Sequence, residues 1–401
     1  MSEKTLKDLD PERLRNARVL VRADLNVPLD GGRVTDDTRI RATLPTLETL
    51  LDAGARVILF SHLGRPKGRP DPGLSLRPVA ARLSELLGRD VRFVEDFVGD
   101  DARAAVEALE PGGVLLLENT RFHPGETEGD PELAAALADL GDLFVNDAFG
   151  SAHRDHASTG GVARAVRARG GEAVAGHLLE KELDFLGRTL HEPRRPFVAI
   201  LGGAKISGKI DVIESLLPRV DRLLVGGAMA NTFLKALGYE TGDSLVEDDR
   251  VEMAAEVVEK AGERLVLPVD CVVADAIEEG VATRTVPRDS VSEADRIGDI
   301  GVRSREVFAG EIAGAGTIVW NGPMGVFELE AFRAGTLAVA RAVADATDEG
   351  ALSVVGGGDS AAAAEVAGVS ERLSHVSTGG GASLEFLAGA ELPGVAALSE
   401  K

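Results

Sequence analysis

The chain contains one cysteine and few aromatic residues. A single cysteine, Cys271, cannot form an internal disulfide framework or a cysteine-based zinc cluster. The strand-like run around it predicts that it is a small buried residue. Aromatic residues make up 4% and hydrophobic residues 44%, so aliphatic side chains must fill the core. No apolar run approaches the ~18 residues of a membrane span, and the first fifteen residues lack the apolar segment of a signal peptide. We therefore expect a soluble, cytoplasmic protein with no membrane partner.

Lysine is also scarce. Only nine of the 44 basic residues are lysines, against 66 acidic residues, and the formal net charge is −22 with a pI of about 4.8. Such a charge argues against a nucleic-acid partner, because its phosphates would be repelled. An acidic surface poor in lysine is typical of proteins that work in concentrated salt, where self-repulsion is screened. A GC-rich genome, which favours arginine over lysine, explains the same composition, and both interpretations stay open.

The length and the hydrophobic pattern predict two domains of the α/β class. At 401 residues the chain exceeds the size of a typical single core. Buried strand patterns alternate with amphipathic helices through the first 172 residues, and the alternation starts again near residue 191. We predict an N-terminal domain over 1–172, an interdomain helix over 173–190 and a C-terminal domain over 191–384. The run RLVLPVDCVVAD reads as one strand, and 286–301 reads as a polar surface excursion.

Basic side chains gather in a few turns before residue 160, each directly after a predicted strand. Asp24 and Asn26 lie between Arg22 and Arg39, and the other turns are SHLGRP at 61–66, RFH at 121–123 and HRDH at 153–156. Arginine and histidine donors suit a small anion with several charges. A zinc site built from His62, His153 and His156 is disfavoured, because the neighbouring arginines would repel a cation.

Glycine-rich loops follow the strands of the second half. They are GGAKISGK at 202–209, GGAM at 226–229, NGPMG at 321–325, GGGDS at 356–360 and TGGGAS at 378–383. Glycine lets backbone N–H groups approach phosphates at the start of a helix. The first loop is not a P-loop, since Ile210 stands where that motif needs Ser or Thr. Lys205 and Lys209 at a helix start indicate a phosphate partner, and Asp359 is the candidate Mg²⁺ ligand.

An anion-binding half and a nucleotide-binding half together predict a bilobal kinase with a cleft between two doubly wound sheets. A Rossmann-type dehydrogenase would need G-x-G-x-x-G after its first strand, and VRADLN has no such glycines. A non-enzymatic nucleotide-binding protein would not need the Arg/His turns. Turnover of an acidic phosphate substrate separates the three possibilities.

The motifs taken together resemble the phosphoglycerate kinase family from about Val19 to Leu387. Ten segments fit in order: RADLNVP, DDTRIR, SHLGRPKG, LENTRFHPGE, FVNDAFGSAHRDHAS, ILGGAKISGKI, GGAMANTF, VWNGPMGVFE, GGGDS and HVSTGGGASLEFL. The resemblance implies two Rossmann-like domains joined by a hinge, with the tail 385–401 returning to the N-terminal domain. It implies Mg²⁺-assisted, in-line phosphoryl transfer between 1,3-bisphosphoglycerate and ADP, giving 3-phosphoglycerate and ATP, with domain closure. The acidic surface resembles members from salt-loving archaea, and we expect a monomer.

The resemblance also implies roles for individual residues. Those expected to bind the glycerate substrate are Asp24, Leu25, Asn26, Arg39, His62, Leu63, Gly64, Arg65, Arg121 and Arg154. Those expected to bind the nucleotide are Lys205, Gly227, Asn321, Pro323, Glu328, Gly356, Gly357, Gly358, Asp359 and Ser360, with Asp359 on the metal. Those expected to act in catalysis are Arg39, Lys205, Lys209, Gly357 and Gly379.

The implied chemistry needs no general base. In the reverse direction the acceptor is a carboxylate with a pKa near ~3.5–4, which is ionised at neutral pH. Catalysis then comes from alignment and from cations around the phosphoryl group. The sequence departs from the family pattern at Ala228 and Asn231 in GGAMANTF, which puts the packing around the adenine in question.

Overall fold

The computed structural model describes residues 2–401, which divide into two compact units. The N-terminal unit runs to Asp184 and also contains Glu391–Lys401. The C-terminal unit is Phe185–Ala390. The chain therefore returns to its first unit at its end.

The N-terminal unit is built on a six-stranded, wholly parallel sheet in the order β5-β6-β4-β1-β7-β8, with a separate β2–β3 hairpin. Its strands are β1 Arg18–Ala23, β2 Leu29–Asp30, β3 Arg33–Val34, β4 Arg56–Phe60, β5 Val91–Val94, β6 Val114–Leu117, β7 Leu143–Asp147 and β8 Ala173–Ala175. Its helices are α1 Pro11–Leu14, α2 Thr38–Asp52, α3 Arg77–Leu87, α4 Asp100–Glu107, α5 Pro131–Ala138, α6 Val162–Ala168 and α7 His177–His191, the last of which continues into the other unit.

The central strands of this sheet are buried on both faces, as the continuous apolar runs predict. Val21 of β1 pairs with Leu59 of β4 on one side and with Val145 of β7 on the other. Every residue of β6 and β7 is buried. Burial on both faces requires helices on both sides, so this is the doubly wound arrangement expected for a parallel sheet.

The C-terminal unit contains a second six-stranded parallel sheet, in the order β11-β10-β9-β15-β16-β17, and a three-stranded antiparallel sheet, β13-β12-β14. Its strands are β9 Phe197–Leu201, β10 Arg222–Val225, β11 Leu265–Val266, β12 Asp270–Ala274, β13 Arg284–Pro287, β14 Arg296–Ile300, β15 Thr317–Asn321, β16 Leu352–Gly356 and β17 His375–Val376. Its helices are α8 Ile210–Leu216, α9 Gly227–Ala236, α10 Val251–Ala261, α11 Val302–Ile312, α12 Ala334–Asp348, α13 Gly358–Val366 and α14 Gly380–Leu387.

Two predictions for this unit were wrong. The run RLVLPVDCVVAD forms two strands, β11 in the parallel sheet and β12 in the antiparallel one, separated at Leu267–Val269. Pro268 lies in that gap. Because proline has no N–H to donate, it would interrupt the hydrogen-bond ladder of a continuous strand. The segment 286–301 is not an excursion, because β14 and the end of β13 pair with β12 on either side.

The boundaries between the units differ from the predicted ones by several residues. Residues 173–175, assigned to an interdomain helix, form edge strand β8 of the first sheet, and the helix starts at His177. The returning tail starts at Glu391 and contains α15 Pro393–Ala396. Ser399 donates to the Ala173 carbonyl at 2.7 Å, and the Asn146 amide donates to the Gly394 carbonyl at 2.8 Å. The tail therefore completes the edge of the N-terminal sheet.

Candidate functional site

The predicted substrate residues of the N-terminal unit follow the carboxyl ends of its central strands. Asp24 comes directly after β1, His62 two residues after β4, and Arg121 four residues after β6. Arg154 follows β7 through a short 3₁₀ turn. Open α/β sheets bind ligands at this edge, so the topology gathers residues that are up to 130 positions apart.

Arg39 in the first turn of α2 is held over the end of β1. Its Nη1 lies 3.2 Å from Oδ1 of the buried Asp24 and donates to the Asn26 carbonyl at 3.2 Å. The Asn26 side chain accepts from the Gly64 N–H at 2.9 Å. These contacts join the β1 and β4 turns and leave the Arg39 side chain 36% exposed, so its guanidinium is fixed and still accessible.

Arg65, Arg121 and Arg154 line one pocket of about 560 Å³, together with Lys67 and His123. Arg121 Nη1 donates to the Gly64 carbonyl at 2.8 Å, while its Nε is buried without a partner. Burial, reinforced by the neighbouring arginines, lowers the pKa of Arg121 to about 10. Four basic side chains and one carboxylate, Glu128, line the pocket, so it holds an excess of positive charge that an anion would stabilise.

The two leucines predicted to bind the substrate contribute backbone groups and not side chains. Leu25 and Leu63 are buried, and their backbone N–H groups donate to Ser61 Oγ at 2.9 Å and to Asn119 Oδ1 at 3.1 Å. They shape the two turns and do not present a side chain to the pocket.

A buried polar network behind this pocket includes residues that the sequence analysis did not select. Arg22 is 1% exposed and donates to His62 and Ser158, at 3.0 Å in each case. The fully buried Glu126 accepts from Ser158 Oγ at 2.5 Å and from its N–H at 3.0 Å. Arg22 could have been noticed, since it is a charge inside the apolar run of β1.

The two buried histidines beside the pocket are kept neutral. Burial first, and then the charges of Arg22, Arg121 and Arg39, holds the pKa of His62 well below its ordinary value. Burial and nearby arginines lower the pKa of His156 to about 4. The positive charge of the pocket therefore comes from guanidinium groups, and the histidines act as neutral hydrogen-bonding groups.

In the C-terminal unit, three glycine turns pack backbone against backbone at the carboxyl end of the sheet. The Gly203 N–H donates to the Pro323 carbonyl and the Gly227 N–H to the Met324 carbonyl, both at 2.9 Å. Gly227 has φ +68°, and a Cβ there would lie 2.5 Å from the Gly203 nitrogen. These glycines are required by close approach of the loops as well as by any ligand.

An apolar cavity of about 370 Å³ opens beside these turns. It is lined by four predicted nucleotide residues, namely Gly227, Pro323, Glu328 and Asp359. The two departures from the family pattern, Ala228 and Asn231, lie on its wall as well. Asn231 is buried and donates to the Leu245 carbonyl at 3.2 Å, so its amide is accommodated without disrupting α9. A mainly apolar slot that is also lined by a few polar groups suits a nucleobase attached to phosphates.

Lys209 and Lys205 differ strongly although both precede α8. Lys209 Nζ donates to the Asn321 carbonyl at 2.8 Å and also to Asn321 Oδ1. Burial lowers the pKa of Lys209 to about 8, and the charge of Asp359 opposes this effect. Lys205 is exposed. The loop therefore carries one exposed cation and one hydrogen-bonded, partly desolvated cation.

The loops at 356–360 and 378–383 meet at the starts of α13 and α14. Asn321 Nδ2 donates to the Gly356 carbonyl at 2.8 Å, and Ser360 Oγ accepts from the Gly322 N–H at 2.6 Å. A Cβ on Gly380 would lie 2.9 Å from the Gly357 Cα, so the start of α14, which Gly379 precedes, lies close to Gly357. Gly358 and Asp359 are exposed in the first turn of α13. The N-terminus of this nine-residue helix presents free N–H groups to a phosphate.

Two further observations concern metals and membranes. No group of three or more His, Cys, Asp or Glu side chains within residues 2–401 is arranged to hold a metal ion. None of the helices in that same range is long and apolar enough to span a bilayer.

The protein has two α/β units, with an arginine-lined anion pocket on one sheet and glycine loops beside an apolar slot on the other. These features define the class of a kinase that acts on a small acidic metabolite. Comparison with known proteins then gives the family. The phosphoglycerate kinase family model matches residues 6–390. The chain is 58% identical to the phosphoglycerate kinase of Rubrobacter xylanophilus, over 100% of this chain and 99% of that one, and 56% identical to that of Chloroflexus aggregans, over 100% of both. The structure of phosphoglycerate kinase from Coxiella burnetii is 45% identical, with a TM-score of 0.88 over 98% of each chain.

The chain belongs to the phosphoglycerate kinase family. The predicted family, fold class and enzyme class are confirmed. The resemblance to members from salt-loving archaea is not shown, because the two relatives named above are bacterial.

Proposed function

We propose that the N-terminal unit binds the glycerate substrate and that the C-terminal unit binds a magnesium nucleotide. The reaction follows from family membership: the chain transfers a phosphoryl group between 1,3-bisphosphoglycerate and ADP, giving 3-phosphoglycerate and ATP. The observation that carries the division is the separation of chemistry between the units. Desolvated guanidinium groups lie in one unit, and glycine turns beside an apolar slot lie in the other.

The glycerate site follows from the contacts around the β1, β4 and β6 turns. Arg65, Arg121 and Arg154 supply the charge for the phosphate, since they line one pocket and have surplus donors. Asp24 and Asn26 lie beside Arg39 and suit the hydroxyl group of the substrate. The backbone turns of Leu25, Leu63 and Gly64 hold these groups in register.

The nucleotide site follows from the cavity and the loops beside it. The base fits the apolar slot walled by Gly227, Pro323 and Glu328. The phosphates extend toward the 356–360 loop, whose members are Gly356, Gly357, Gly358, Asp359 and Ser360. Asn321 lies between this loop and Lys209 and contacts both, so it aligns the cation with the loop.

The residues present fit Mg²⁺. Asp359 offers an exposed hard-oxygen ligand at the edge of the cavity, within electrostatic reach of Lys209. Mg²⁺ is usually bound by one or two carboxylates together with phosphate oxygens, so a single carboxylate suffices. When bound, the ion neutralises charge on the nucleotide phosphates.

We assign the transfer step to positioned cations and not to a general base. In the direction from ATP to 3-phosphoglycerate the acceptor is a carboxylate that is ionised at neutral pH, so no proton has to be removed from it. Arg39 from one unit and Lys205 and Lys209 from the other stabilise the charge on the transferring group, together with the N–H groups near Gly357 and Gly379. Closure of the units around both substrates, which the sequence analysis predicted, stays a prediction.

A coupled assay tests the proposal. Wild-type protein should consume 1,3-bisphosphoglycerate only when ADP and Mg²⁺ are present. Asp359→Asn should raise the Mg²⁺ concentration needed for half-maximal rate by about tenfold while leaving binding of 3-phosphoglycerate unchanged. Asp348→Asn, at the far end of α12 in the same unit, is the matched control. Unaltered Mg²⁺ dependence of Asp359→Asn would remove that residue from the metal site.

Four expectations about location, assembly, partners and surface remain proposals. We propose a cytoplasmic, monomeric enzyme with no nucleic-acid partner, in agreement with its charge and metabolic substrates. We also propose that its acidic, lysine-poor surface reflects adaptation to salt; compositional drift in a GC-rich genome is the alternative.

A further inference from the structure

Arg22 and His62 form a buried pair whose hydrogen bonding can be read in only one way. Arg22 Nη2 lies 3.0 Å from His62 Nδ1. A guanidinium group has donors and no acceptor. Nδ1 must therefore accept, and the ring proton must lie on Nε2.

The rest of the network fixes Arg22 in this orientation. Its Nε donates to Ser158 Oγ at 3.0 Å, and its Nη1 donates to the Ala23 carbonyl. Ser158 in turn donates to the buried Glu126, whose charge acts on Arg22. A buried arginine with donors on three sides cannot turn away from His62 without leaving polar groups unsatisfied.

The other side of the imidazole ring remains available. Among residues 2–401 no group hydrogen-bonds to His62 Nε2, and the residue as a whole is 8% exposed. Basic residues from four elements act on it: the guanidinium groups of Arg22 on β1, Arg39 on α2 and Arg121 after β6, and His156 before α6, which is neutral near pH 7. A positive charge on this ring would face three guanidinium groups.

We propose that Arg22 is a positioning residue that fixes His62 as a neutral donor, with its Nε2–H directed at the glycerate substrate. This inference rests on the proposed function, which places His62 at that substrate. The histidine then orients one substrate oxygen without adding charge, and the surrounding arginines supply the attraction. Ser158 and Glu126 act through Arg22.

The first test is spectroscopic and uses the full-length wild-type protein. Long-range ¹H–¹⁵N spectra of protein labelled at its seven histidines should show the proton of His62 on Nε2, with no change between about pH 6 and 8. The His62→Gln variant identifies the signal. A proton on Nδ1, or on both nitrogens, would overturn the proposal. A signal with the expected tautomer that does not respond to 3-phosphoglycerate would instead contradict the placement of His62 at the substrate.

The second test compares amides that imitate one ring nitrogen at a time. The glutamine amide reaches about as far as Nε2, and the asparagine amide about as far as Nδ1. His62→Gln should keep KM for 3-phosphoglycerate within a few-fold of wild type. The KM of His62→Asn should be about tenfold higher than that of His62→Gln, which corresponds to the loss of one hydrogen bond. Equal KM values for the two variants would contradict an Nε2–H contact.

The third test removes the positioning residue. Arg22→Met should raise KM for 3-phosphoglycerate by about tenfold, with a smaller effect on kcat, and should make that KM fall toward acid pH as His62 becomes able to protonate. Arg18→Met is the matched control, because Arg18 lies on the same strand but pairs with Asp142 at the opposite end. A KM in Arg22→Met that remains independent of pH would contradict the role. If Arg22→Met does not fold, the spectra and the His62 variants still decide the question.

Discussion

Replacement of Lys209 by methionine should change how the stability of the C-terminal unit depends on pH. The pKa of Lys209 is about 8 in the folded protein and 10.5 in an unfolded chain. Between these values the unfolded state binds more protons, so the folded state becomes relatively more stable as the pH rises. The charged form costs the folded state roughly 3 kcal/mol below pH 8, and this cost disappears toward pH 10.5.

The variant lacks this titration, so the difference between the two proteins should depend on pH. From pH 7 to 9.5 the free energy of unfolding of wild type should rise by roughly 2 kcal/mol relative to Lys209→Met. The absolute difference at pH 7 is smaller than the full cost, because Lys209 also donates two hydrogen bonds to Asn321, worth ~1 kcal/mol or more each. Other groups titrate equally in both proteins and cancel.

The single tryptophan makes the measurement specific to the C-terminal unit. Trp320 is buried in β15, directly before Asn321, and its fluorescence should follow unfolding of this unit in urea. Lys205→Met is the matched control, since Lys205 belongs to the same loop but is exposed. A constant difference between wild type and Lys209→Met across this pH range would refute the reasoning.

The same lysine should link protons to nucleotide binding. Phosphates beside Lys209 favour its charged form, so ADP binding at about pH 8.5 should take up protons in wild type and not in Lys209→Met. Calorimetry in two buffers with different ionisation enthalpies measures this uptake. Identical proton uptake in both proteins would place the nucleotide phosphates elsewhere.

Three further predictions address the other unit and the surface. Arg39→Ala should lower kcat by ~10³-fold while ADP binding is kept, because Arg39 lies outside the unit that carries the nucleotide loops; near-normal turnover would remove it from the mechanism. Deletion of residues 391–401 should lower the unfolding temperature, because the Asn146 amide and the Ala173 carbonyl lose their hydrogen-bond partners in the tail, and each loss costs ~1–3 kcal/mol of stability. An unchanged melting curve would show that the tail is not needed for stability. Molar KCl should raise the unfolding temperature and raise KM for the anionic substrates, and a temperature that stays flat would favour compositional drift.

The parallel sheets could be predicted because their signal is local. Strands such as β7 and β15 are continuous apolar runs, and burial on both faces requires such runs. The antiparallel sheet was missed because β13 is mostly exposed and its residues follow no apolar pattern. It forms a strand because it pairs with β12, whose paired residues lie more than ten positions away. Pro268 separates β12 from β11.

The residues of the candidate site also fall into those that the sequence predicts and those that it does not. Side chains that face a ligand, such as Arg65 and Asp359, occur in short polar or glycine-rich turns, and the turns are visible in the sequence. Side chains that support them are not, because Glu126 contacts Ser158 across 32 positions and Arg22 contacts His62 across 40. A single buried charge must have a partner, so Arg22 inside β1 predicts that some acceptor lies nearby, but only the strand order says which one. The β1–β4 pairing brings His62 to Arg22, and the tautomer of His62 is therefore a consequence of sheet topology that no local motif contains.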